Sequence, residues 1–427
     1  MRVAVEGNSS EIEAISELLS PWNVKFTSPA DAELVIVARA WNTPKTLKIP
    51  DAKNTLVIPS ASEHGARLEL SENMALLSQD IVRDYYRILN ETLSVRSSIF
   101  FSILTGLPIS YEKAPRQIRN LFMSSVARKL GNDKRPLFKY TLQLDFLRSI
   151  LVRAIEKLSK RVLQKKIWNG RKYACLLTHD IDSREGLREA RVLKRMEDRY
   201  DLPSAWYIPS AHFRLDSPTI RELANNGEIG SHDTRHDGRL ARLSREKMME
   251  RLSSSRRVLS KCAGCAVEGF RAPLLQHNLG IMDALMSVGY SYDTSIPTWE
   301  PKHPSTMKPQ GIGTVFPMII NGVVEVPVTL PQDHQMMHVL NYGPKGTITI
   351  WKQSMNATKE MGGLCVFLVH PEYELAHSKN IRVYEDLLST IKTDHDSWTA
   401  LPRDISKICL ADAQKSGRQR VRVKERG

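Results

Sequence analysis

The stretch YACLLTHDID, residues 173–182, is an apolar run that ends in two acids with one residue between them. Its first six residues have the composition of a buried strand, and the acids follow where that strand would end. Further along the chain, strand-like runs alternate with helical stretches. The predicted strands are 204–208, 228–231, 268–271, 289–293, 323–326 and 364–369, and the helices are 185–200, 217–225 and 244–261. This alternation predicts a parallel α/β sheet or barrel, with chemistry at the carboxyl ends of strands.

The chain before this region divides into two parts. Residues 1–75 are predicted to form a small α/β domain, with strands at 2–6, 34–38 and 55–59 and a helix at 9–19. Residues 76–168 are predicted to be a helical connector, 169–402 the barrel and 403–427 a basic tail. The predicted connector helices are 76–93, 95–104, 118–130 and 142–163. The chain has no GxGxxG and no P-loop lysine, so no nucleotide site is predicted.

The composition is that of an ordinary globular protein. In 427 residues, 41% are hydrophobic and 25% charged, which supplies a core without a disulfide framework. The pair Cys262 and Cys265 forms a lone CxxC, which we interpret as two thiols because a structural zinc needs four ligands. No signal-peptide stretch and no run of apolar residues long enough to span a membrane is present, so a cytoplasmic location is expected.

The net charge of +14 is concentrated at residues 149–172 and 415–427. One interpretation is a solvated helix face and a solvated tail; the other is a docking surface for phosphate groups on a membrane, a nucleic acid or a phosphorylated substrate. No motif points to nucleic acid in particular. Helix 142–163 has an apolar stripe opposite its basic face, which predicts either packing against a neighbouring domain or a peripheral contact with an anionic membrane. The stripe is Leu147, Leu151, Ile155, Leu158 and Val162.

Two histidines have the spacing of metal ligands. His232 and His236 are four residues apart, which puts both rings on one face if the segment turns into a helix. Asp180 and Asp182 each offer a carboxylate, and two imidazoles with one carboxylate suit zinc with a position left for water. Alone, such a histidine pair is also compatible with a surface coincidence.

Three further polar residues follow apolar runs. Arg271 at a buried strand end requires an anionic partner, and a carboxylate that it held would stay ionised. Asp293 ends another predicted strand and is suited to orient an imidazole. His370 follows the run 364–369 and is either a satisfied core residue or a general acid.

Five motifs in fixed order resemble those of the polysaccharide deacetylase family, the NodB-homology carbohydrate esterases. They are THDID at 178–182, NGEIGSHDTRH at 226–236, GFRAP at 269–273, GYSYDTS at 289–295 and LVH at 368–370. The resemblance implies a distorted (β/α) barrel of the NodB type. It also implies a hydrolase that removes N-acetyl groups from an amino-sugar-containing saccharide with the help of a metal ion.

The resemblance also implies roles by position. One divalent ion is expected, zinc in the first place with cobalt or nickel as alternatives. Its implied ligands are Asp182, His232 and His236. The implied catalytic residues are Asp180 as base, Arg271 as the group that holds it, and His370 as acid tuned by Asp293. The backbone N–H of Leu274 is expected to bind the oxyanion.

Departures from the family pattern leave alternatives open. Ile181 separates the two aspartates, so Asp180 and Asp182 are exchangeable as base and ligand. Leu274 stands where the family has an aromatic residue, and Trp299 is the candidate sugar-stacking wall instead. Residue His179 also replaces a usual aromatic. The alternative functions are hydrolysis of a cyclic imide or ureide, or an inactive barrel that binds glycans or an anionic surface. A cytoplasmic location favours a lipid-linked or nucleotide-linked saccharide as substrate.

Overall fold

A computed structural model describes residues 1–38, 54–58, 68–94, 142–300, 310–376 and 379–416. The helices predicted at 95–104 and 118–130, and residues 417–427 of the tail predicted at 403–427, lie outside this part of the chain; the first part of that predicted tail is helical, Pro402–Lys415. Among the described helices, none combines the length and the apolar character needed to cross a membrane.

The first sheet contains six strands in the order β2-β1-β3-β4-β6-β5. All pairs are parallel except β5 with β6. The strands are β1 (Arg2–Glu6), β2 (Lys25–Phe26), β3 (Leu34–Ala38), β4 (Asn54–Ile58), β5 (Leu68–Leu70) and β6 (Met74–Leu77). Helices α1 (Ser9–Leu18), α2 (Ile81–Leu93) and α3 (Gln143–Ser159) pack with it. The prediction of a helix from residue 76 was wrong at its start, because Leu76 and Leu77 pair in the sheet and Asp80 caps α2.

Helix α3 packs its apolar stripe inside the protein. Leu147, Leu151, Ile155 and Leu158 are buried in a core shared with the first sheet. The helix ends at Ser159, and the last member of the predicted stripe, Val162, is 74% exposed. The basic residues Arg153 and Lys157 of α3 are exposed, so only charge, and not the apolar stripe, is available there to an external partner.

The same helix is hydrogen-bonded to the second sheet region. Asp145 Oδ2 accepts the backbone N–H of Val315 at 2.9 Å, and Asp145 Oδ1 accepts a hydrogen bond of 2.7 Å from Arg148. Arg148 is fully buried and also donates to the hydroxyl of Thr314. A buried arginine with a carboxylate partner fixes the relative position of the two segments that it joins.

The second sheet is predominantly parallel and carries the predicted motifs. Its path is β12-β13-β11-β10-β9-β8-β7-β14, with β15 also paired to β7, and the antiparallel pair is β12 with β13. The strands are β7 (Tyr173–Asp180), β8 (Ser204–Ile208), β9 (Gly227–Ser231), β10 (Gly269–Phe270), β11 (Tyr292–Asp293), β12 (Met318–Ile320), β13 (Val323–Glu325), β14 (Leu364–Val369) and β15 (Ser397–Thr399). Its helices are α4 (Arg184–Arg199), α5 (Ser217–Ala224), α6 (Arg245–Ala263), α7 (Leu279–Val288), α8 (Gly343–Met361), α9 (Ile381–Thr393) and α10 (Pro402–Lys415).

A hydrogen bond links β14, at one end of this sheet path, to the segment after β13, near the other end. The N–H of Val366 on β14 donates to the hydroxyl of Thr329, which follows β13, at 2.8 Å. This contact brings β14 beside the segment after β13 without a regular ladder between the described strands, as in a distorted barrel. The predicted α/β fold with a parallel sheet is therefore confirmed. Because β7, β9, β10, β11 and β14 run in the same direction, their carboxyl ends carry the five motifs to one edge.

Candidate metal and catalytic site

Asp182, His232 and His236 lie together at this edge. One ligand atom from each falls within 4.8 Å of the others. Asp182 Oδ1 is 3.4 Å from Nε2 of His232 and 3.4 Å from Nε2 of His236. The structure thus brings together the three residues that the sequence predicted as metal ligands.

The state of the donor atoms fits a cation. His232 Nδ1 lies 2.8 Å from the carbonyl oxygen of Arg271 and must donate to it, which leaves the lone pair on Nε2. His232 Nε2 and Asp182 Oδ1 are buried and have no hydrogen-bond partner within the described chain. A buried polar atom without a partner costs about 1–3 kcal/mol, and a divalent ion would satisfy both acceptors at once.

The electrostatic environment keeps Asp182 ionised. Burial opposes its charge, but the nearby imidazoles of His236, His232 and His370 hold the pKa of Asp182 well below its usual range. A carboxylate must be deprotonated to bind a metal, so Asp182 is in its ligand form at neutral pH.

The loop 232–236 is held from outside by one arginine. Arg251 on α6 donates from Nε to Asp233 Oδ1 at 2.8 Å and from Nη1 to Asp237 Oδ2 at 3.0 Å. Its Nη2 donates to the carbonyl oxygen of Arg235 at 2.9 Å. Asp233 has a left-handed backbone, with φ 64°, a conformation that among non-glycine residues is found mainly for asparagine, aspartate and histidine. Arg251 therefore braces a bent loop on both sides of the second histidine.

Asp180 lies beside the metal cluster and is held by Arg271. The guanidinium is fully buried, and its Nη1 donates to Asp180 Oδ1 at 3.0 Å and to Thr178 Oγ1 at 2.9 Å. It also packs 4.4 Å from the ring centre of Tyr207. The second oxygen of Asp180 is 4.0 Å from Nε2 of His232. Arg271 thus binds one carboxylate oxygen while the other lies beside the candidate ligands.

The fourth motif fixes Arg271 from behind. The Nε of Arg271 donates to the carbonyl oxygen of Thr294 at 2.9 Å, and Nη2 donates to the Thr294 hydroxyl at 3.0 Å. The hydroxyl of Ser295 accepts the N–H of Ala272 at 2.8 Å. The third and fourth motifs are therefore one hydrogen-bonded unit that presents a guanidinium to Asp180.

Asp293 does not contact His370, and the prediction that it tunes this imidazole was wrong. Its Oδ1 accepts the Ser295 hydroxyl at 2.6 Å, and on the neighbouring strand it is in register with Glu325. Burial raises the pKa of Asp293 to about 6. The physical reason is strand order: β11 pairs with β10 and β13, whereas His370 follows β14 at the other end of the sheet path.

His370 is oriented by Asp333 instead. Its Nδ1 lies 2.6 Å from Asp333 Oδ1, and its backbone N–H donates to Asp333 Oδ2 at 2.8 Å. Burial opposes charge on the imidazole, but the charge and hydrogen bond of Asp333, aided by Asp182 and Asp180, raise the pKa of His370 to about 10. Its Nε2 is 3.9 Å from Asp182 Oδ2, so a protonated nitrogen points at the site.

Two acids of the site were missed from the sequence. Asp333 follows no strand in the described chain, and the only sequence signal was an acid beside a histidine in the run PQDHQ, 331–335. Glu372 comes two residues after His370, and its Oε1 accepts the backbone N–H of Asp182 at 3.0 Å and the hydroxyl of Ser183 at 3.2 Å. Burial and the charge of Asp182 raise the pKa of Glu372 to about 8. Glu372 thus supports the backbone that positions Asp182.

His179 serves the scaffold. Its Nε2 lies 2.8 Å from Glu197 Oε1, its Nδ1 lies 3.1 Å from the Val369 carbonyl oxygen, and its ring stacks on Trp206 at 4.1 Å. Both ring nitrogens of His179 therefore form contacts with the scaffold.

Leu274 and Trp299 were predicted to bind the oxyanion and to stack on the sugar. Leu274 follows Pro273 in a tight turn and has a left-handed backbone, φ 58° and ψ 25°. Trp299 is half-buried and lies between two backbone contacts, Thr298 N–H to Val328 O at 2.9 Å and Glu300 with Gln310. Oxyanion binding by Leu274 and sugar stacking on Trp299 remain predictions.

The region that contains this site is similar to known proteins. Residues 171–292 match the profile of the family described as polysaccharide deacetylase. No curated protein matches the chain. Solved structures similar to it include a candidate polysaccharide deacetylase from Mycobacterium smegmatis, with 18% identity, TM-score 0.49 and coverage of 61% of this chain and 97% of that one. PuuE allantoinase has 14% identity and TM-score 0.44, covering 57% and 92%. A family 4 carbohydrate esterase from Streptomyces lividans has 12% identity and TM-score 0.36, covering 52% and 91%.

The resemblance predicted from the motifs is confirmed by the profile match. The enzyme class that follows is a hydrolase of carbon–nitrogen bonds of the polysaccharide deacetylase type.

Proposed function

We propose that the chain removes N-acetyl groups from an amino-sugar-containing saccharide, because residues 171–292 match the polysaccharide deacetylase family. The observation that supports this most directly is the pair of buried, unpartnered acceptors His232 Nε2 and Asp182 Oδ1, with Asp180 and His370 on either side. A divalent ion held by these two residues and His236, zinc in the first place with cobalt or nickel as alternatives, would activate water and polarise the acetyl carbonyl.

Asp180 acts as the general base in this proposal. Arg271 hydrogen-bonds one of its oxygens at 3.0 Å and keeps the carboxylate fixed in direction. The other oxygen, next to His232, takes the proton of the attacking water. Asp182, with an oxygen between the two imidazoles, is better placed as the ligand.

His370 acts as the general acid. Asp333 holds Nδ1, so the proton on Nε2 faces the site and passes to the departing amine. The N–H of Leu274 would bind the oxyanion, and Trp299 would offer a ring for the sugar. Both groups are assigned from family position alone.

The substrate is proposed to be a lipid-linked or nucleotide-linked saccharide at the cytoplasmic face of a membrane. The exposed basic residues of α3, Arg153 and Lys157, would hold the protein near anionic headgroups by charge, since its apolar stripe is packed inside. Sedimentation with anionic and neutral liposomes at low salt tests this, and equal binding to both would contradict it.

Metal content is the first experiment for the proposed function. About one divalent ion per chain is expected in the purified protein, and loss of it in the variant His232→Ala/His236→Ala. The matched control is His395→Ala, because His395 is an exposed histidine that is not one of the three candidate ligands. A wild-type protein that holds no metal, and takes none up on dialysis against zinc, cobalt or nickel, would contradict a metal-dependent reaction.

Product analysis then separates the candidate reactions. Acetate release from acetylated amino sugars is expected only from the deacetylase. Ring opening of a cyclic imide or ureide without acetate would assign the same site to a different carbon–nitrogen bond. Saccharide binding that survives both Asp180→Asn and His370→Ala, with no product formed by the wild type, would indicate a binding protein.

A further inference from the structure

His334 lies beside the pair formed by Asp333 and His370. Its backbone N–H donates to Asp333 Oδ1 at 2.7 Å, the same oxygen that lies 2.6 Å from His370 Nδ1. Its ring centre is 5.3 Å from that of Tyr373, which in turn is 5.0 Å from the ring centre of His370. The charges of His370 and Asp182 both act on the pKa of His334, so its ring also lies within electrostatic range of the metal cluster. The side chain of His334 therefore borders the site on the side of the general acid.

The segment that carries His334 is held in place by buried neighbours. The carbonyl oxygen of Pro331 accepts the indole N–H of Trp351, a fully buried residue of α8, at 2.9 Å. The residues after His334 form one helical turn, Gln335–Val339, in which Gln335 and Met336 are fully buried. A polar side chain on a rigid segment is suited to recognise one group of a ligand.

The ring nitrogens of His334 are not occupied by the protein. The side chain is half-buried, and its ring contacts are those with Tyr373 and with His338, whose ring centre is 5.1 Å away. Within the described residues, neither ring nitrogen of His334 has a hydrogen-bond partner, whereas Nε2 of His338 lies 3.0 Å from Glu374 Oε2. Since a partly buried polar group gains from a partner, these nitrogens are suited to bind a group of the substrate.

His334 is neutral at physiological pH. Burial and the charges of His338 and His370 lower the pKa of His334 to about 3, against the opposing charges of Asp182 and Glu374. A neutral imidazole has one nitrogen that accepts a hydrogen bond and one that donates. It therefore suits a hydroxyl group, which both donates and accepts.

The reaction puts the amino sugar on this side of the site. In the proposed function His370 protonates the departing nitrogen, so a group beside His370 meets the sugar and not the acetyl group. In a 2-acetamido sugar, the ring carbon next to the acetamido carbon bears the 3-hydroxyl group. This hydroxyl group is a direct neighbour of the nitrogen that receives the proton.

We infer that His334 is a specificity-determining residue that hydrogen-bonds the 3-hydroxyl group of the amino sugar. The inference rests on the proposed function, since it names a substrate contact of the same site. It makes the substrate class an acetylated 2-amino sugar whose 3-hydroxyl group is free. A site built to hydrogen-bond a hydroxyl group disfavours the analogue that lacks it, because the polar group of the protein is then left without a partner.

Acetate release from a matched pair of sugars by the full-length, metal-loaded protein tests the inference. The pair is the methyl glycoside of N-acetylglucosamine and its 3-deoxy analogue, and the measured quantity is kcat/KM. The wild type is expected to prefer the hydroxyl-bearing sugar about tenfold or more. In His334→Phe, which keeps a ring but removes both nitrogens, the preference should disappear because kcat/KM falls for the hydroxyl-bearing sugar alone. His334→Gln, whose amide both accepts and donates, should restore part of the preference.

A neighbouring histidine supplies the matched control. His338→Phe removes the nitrogens of the adjacent imidazole, whose Nε2 already contacts Glu374, and should keep the preference of the wild type. Metal content and the downfield proton NMR signal of His370 Nδ1 should be unchanged in His334→Phe. These two measurements show that the metal cluster and the pair formed by Asp333 and His370 are intact in the variant.

Three outcomes would overturn the inference. They are a wild type that treats the two sugars alike, a preference that persists in His334→Phe, and an equal loss of kcat/KM for both sugars in that variant, which would indicate a purely structural role. Failure of the proposed function looks different, because the wild type would then release acetate from neither sugar, and this inference would fall with it.

Discussion

Asp333 Oδ1 lies 2.6 Å from His370 Nδ1, and the other oxygen of the same carboxylate accepts the backbone N–H of His370 at 2.8 Å. The two bonds fix the position and the orientation of the imidazole ring. Asp333 comes from the segment after β13, which lies beside β14, so two distant parts of the sequence supply this Asp–His pair.

The first prediction separates Asp333 from Asp293. Replacing Asp333 by Asn keeps the size of the side chain but removes the charge that orients the imidazolium, so kcat should fall about 10²-fold or more. Because the strongly hydrogen-bonded Nδ1 proton of His370 gives a downfield proton NMR signal, this signal should disappear in Asp333→Asn and persist in Asp293→Asn. The opposite pattern would restore Asp293 as the partner of His370.

The second prediction concerns the two neighbouring aspartates. Asp180→Asn should lower turnover about 10²–10⁴-fold because an amide cannot accept the proton of water, while the metal remains bound. Asp182→Asn should lose metal, since it removes a charged ligand. Metal retention in Asp182→Asn together with metal loss in Asp180→Asn would exchange the two roles.

The third prediction concerns the brace behind the metal-binding loop. Arg251→Gln should weaken metal affinity about 10–100-fold, as removal of groups that orient metal ligands commonly does. The reason is that Arg251 no longer donates hydrogen bonds to Asp233, Asp237 and the carbonyl oxygen of Arg235, which hold the bent loop 232–236 in place. Titration with a chelator of known affinity measures the change, with Arg257→Gln on the same helix as control. An unchanged affinity would show that the loop is rigid without Arg251.

The fourth prediction concerns a buried acid on β9, Glu228. Glu228 accepts the hydroxyl of Tyr292 at 2.7 Å and the N–H of Arg403 at 3.1 Å, and burial raises its pKa to about 7 from 4.5. The folded state therefore binds this proton more tightly than the unfolded state. Its stabilisation is present below about pH 4.5 and is lost as pH rises through about 7, by about 3 kcal/mol in total.

Glu228→Gln should remove this pH dependence. The amide can donate to the oxygen of Tyr292, whose own hydroxyl lies 3.0 Å from that of Tyr207 and is free to reverse its direction. Denaturant unfolding at pH 5 and pH 8 should show the wild type losing stability relative to Glu228→Gln, with the exposed Glu250→Gln behaving as wild type. A parallel response of all three proteins would indicate that Glu228 stays ionised in the fold.

The sequence predicted those parts of the fold that depend on local pattern. Strands β1, β3, β8 and β14 have the predicted bounds. In β3, β8 and β14 every residue is buried, as expected for largely apolar runs that need burial on both faces. The start of α2 was misplaced, since Leu76 and Leu77 continue the apolar spacing of the helix although they pair with β5. Periodicity alone does not separate these two possibilities in a short apolar run.

The candidate site was predictable where a residue lies close after the end of a strand. His232 and Arg271 directly follow strands, Asp182 and His236 lie within five residues of a strand end, and the structure brings all four together. Asp333 did not meet this condition, because it comes from an irregular segment whose approach to β14 depends on side-chain bonds such as that of Thr329. Contacts between loops distant in sequence leave no local pattern, so the partner of His370 required the three-dimensional structure.

Helix α3 buries its apolar stripe on the first sheet and its Asp145–Arg148 pair on the segment Thr314–Val315, which precedes strand β12 of the second sheet. A protein cut between residues 168 and 169 would leave the Val315 N–H without its carboxylate acceptor and would bare the surface that α3 covers. We therefore expect the N-terminal part and the region of the second sheet to be coupled in unfolding, so that each is protected from a protease for as long as the other stays folded.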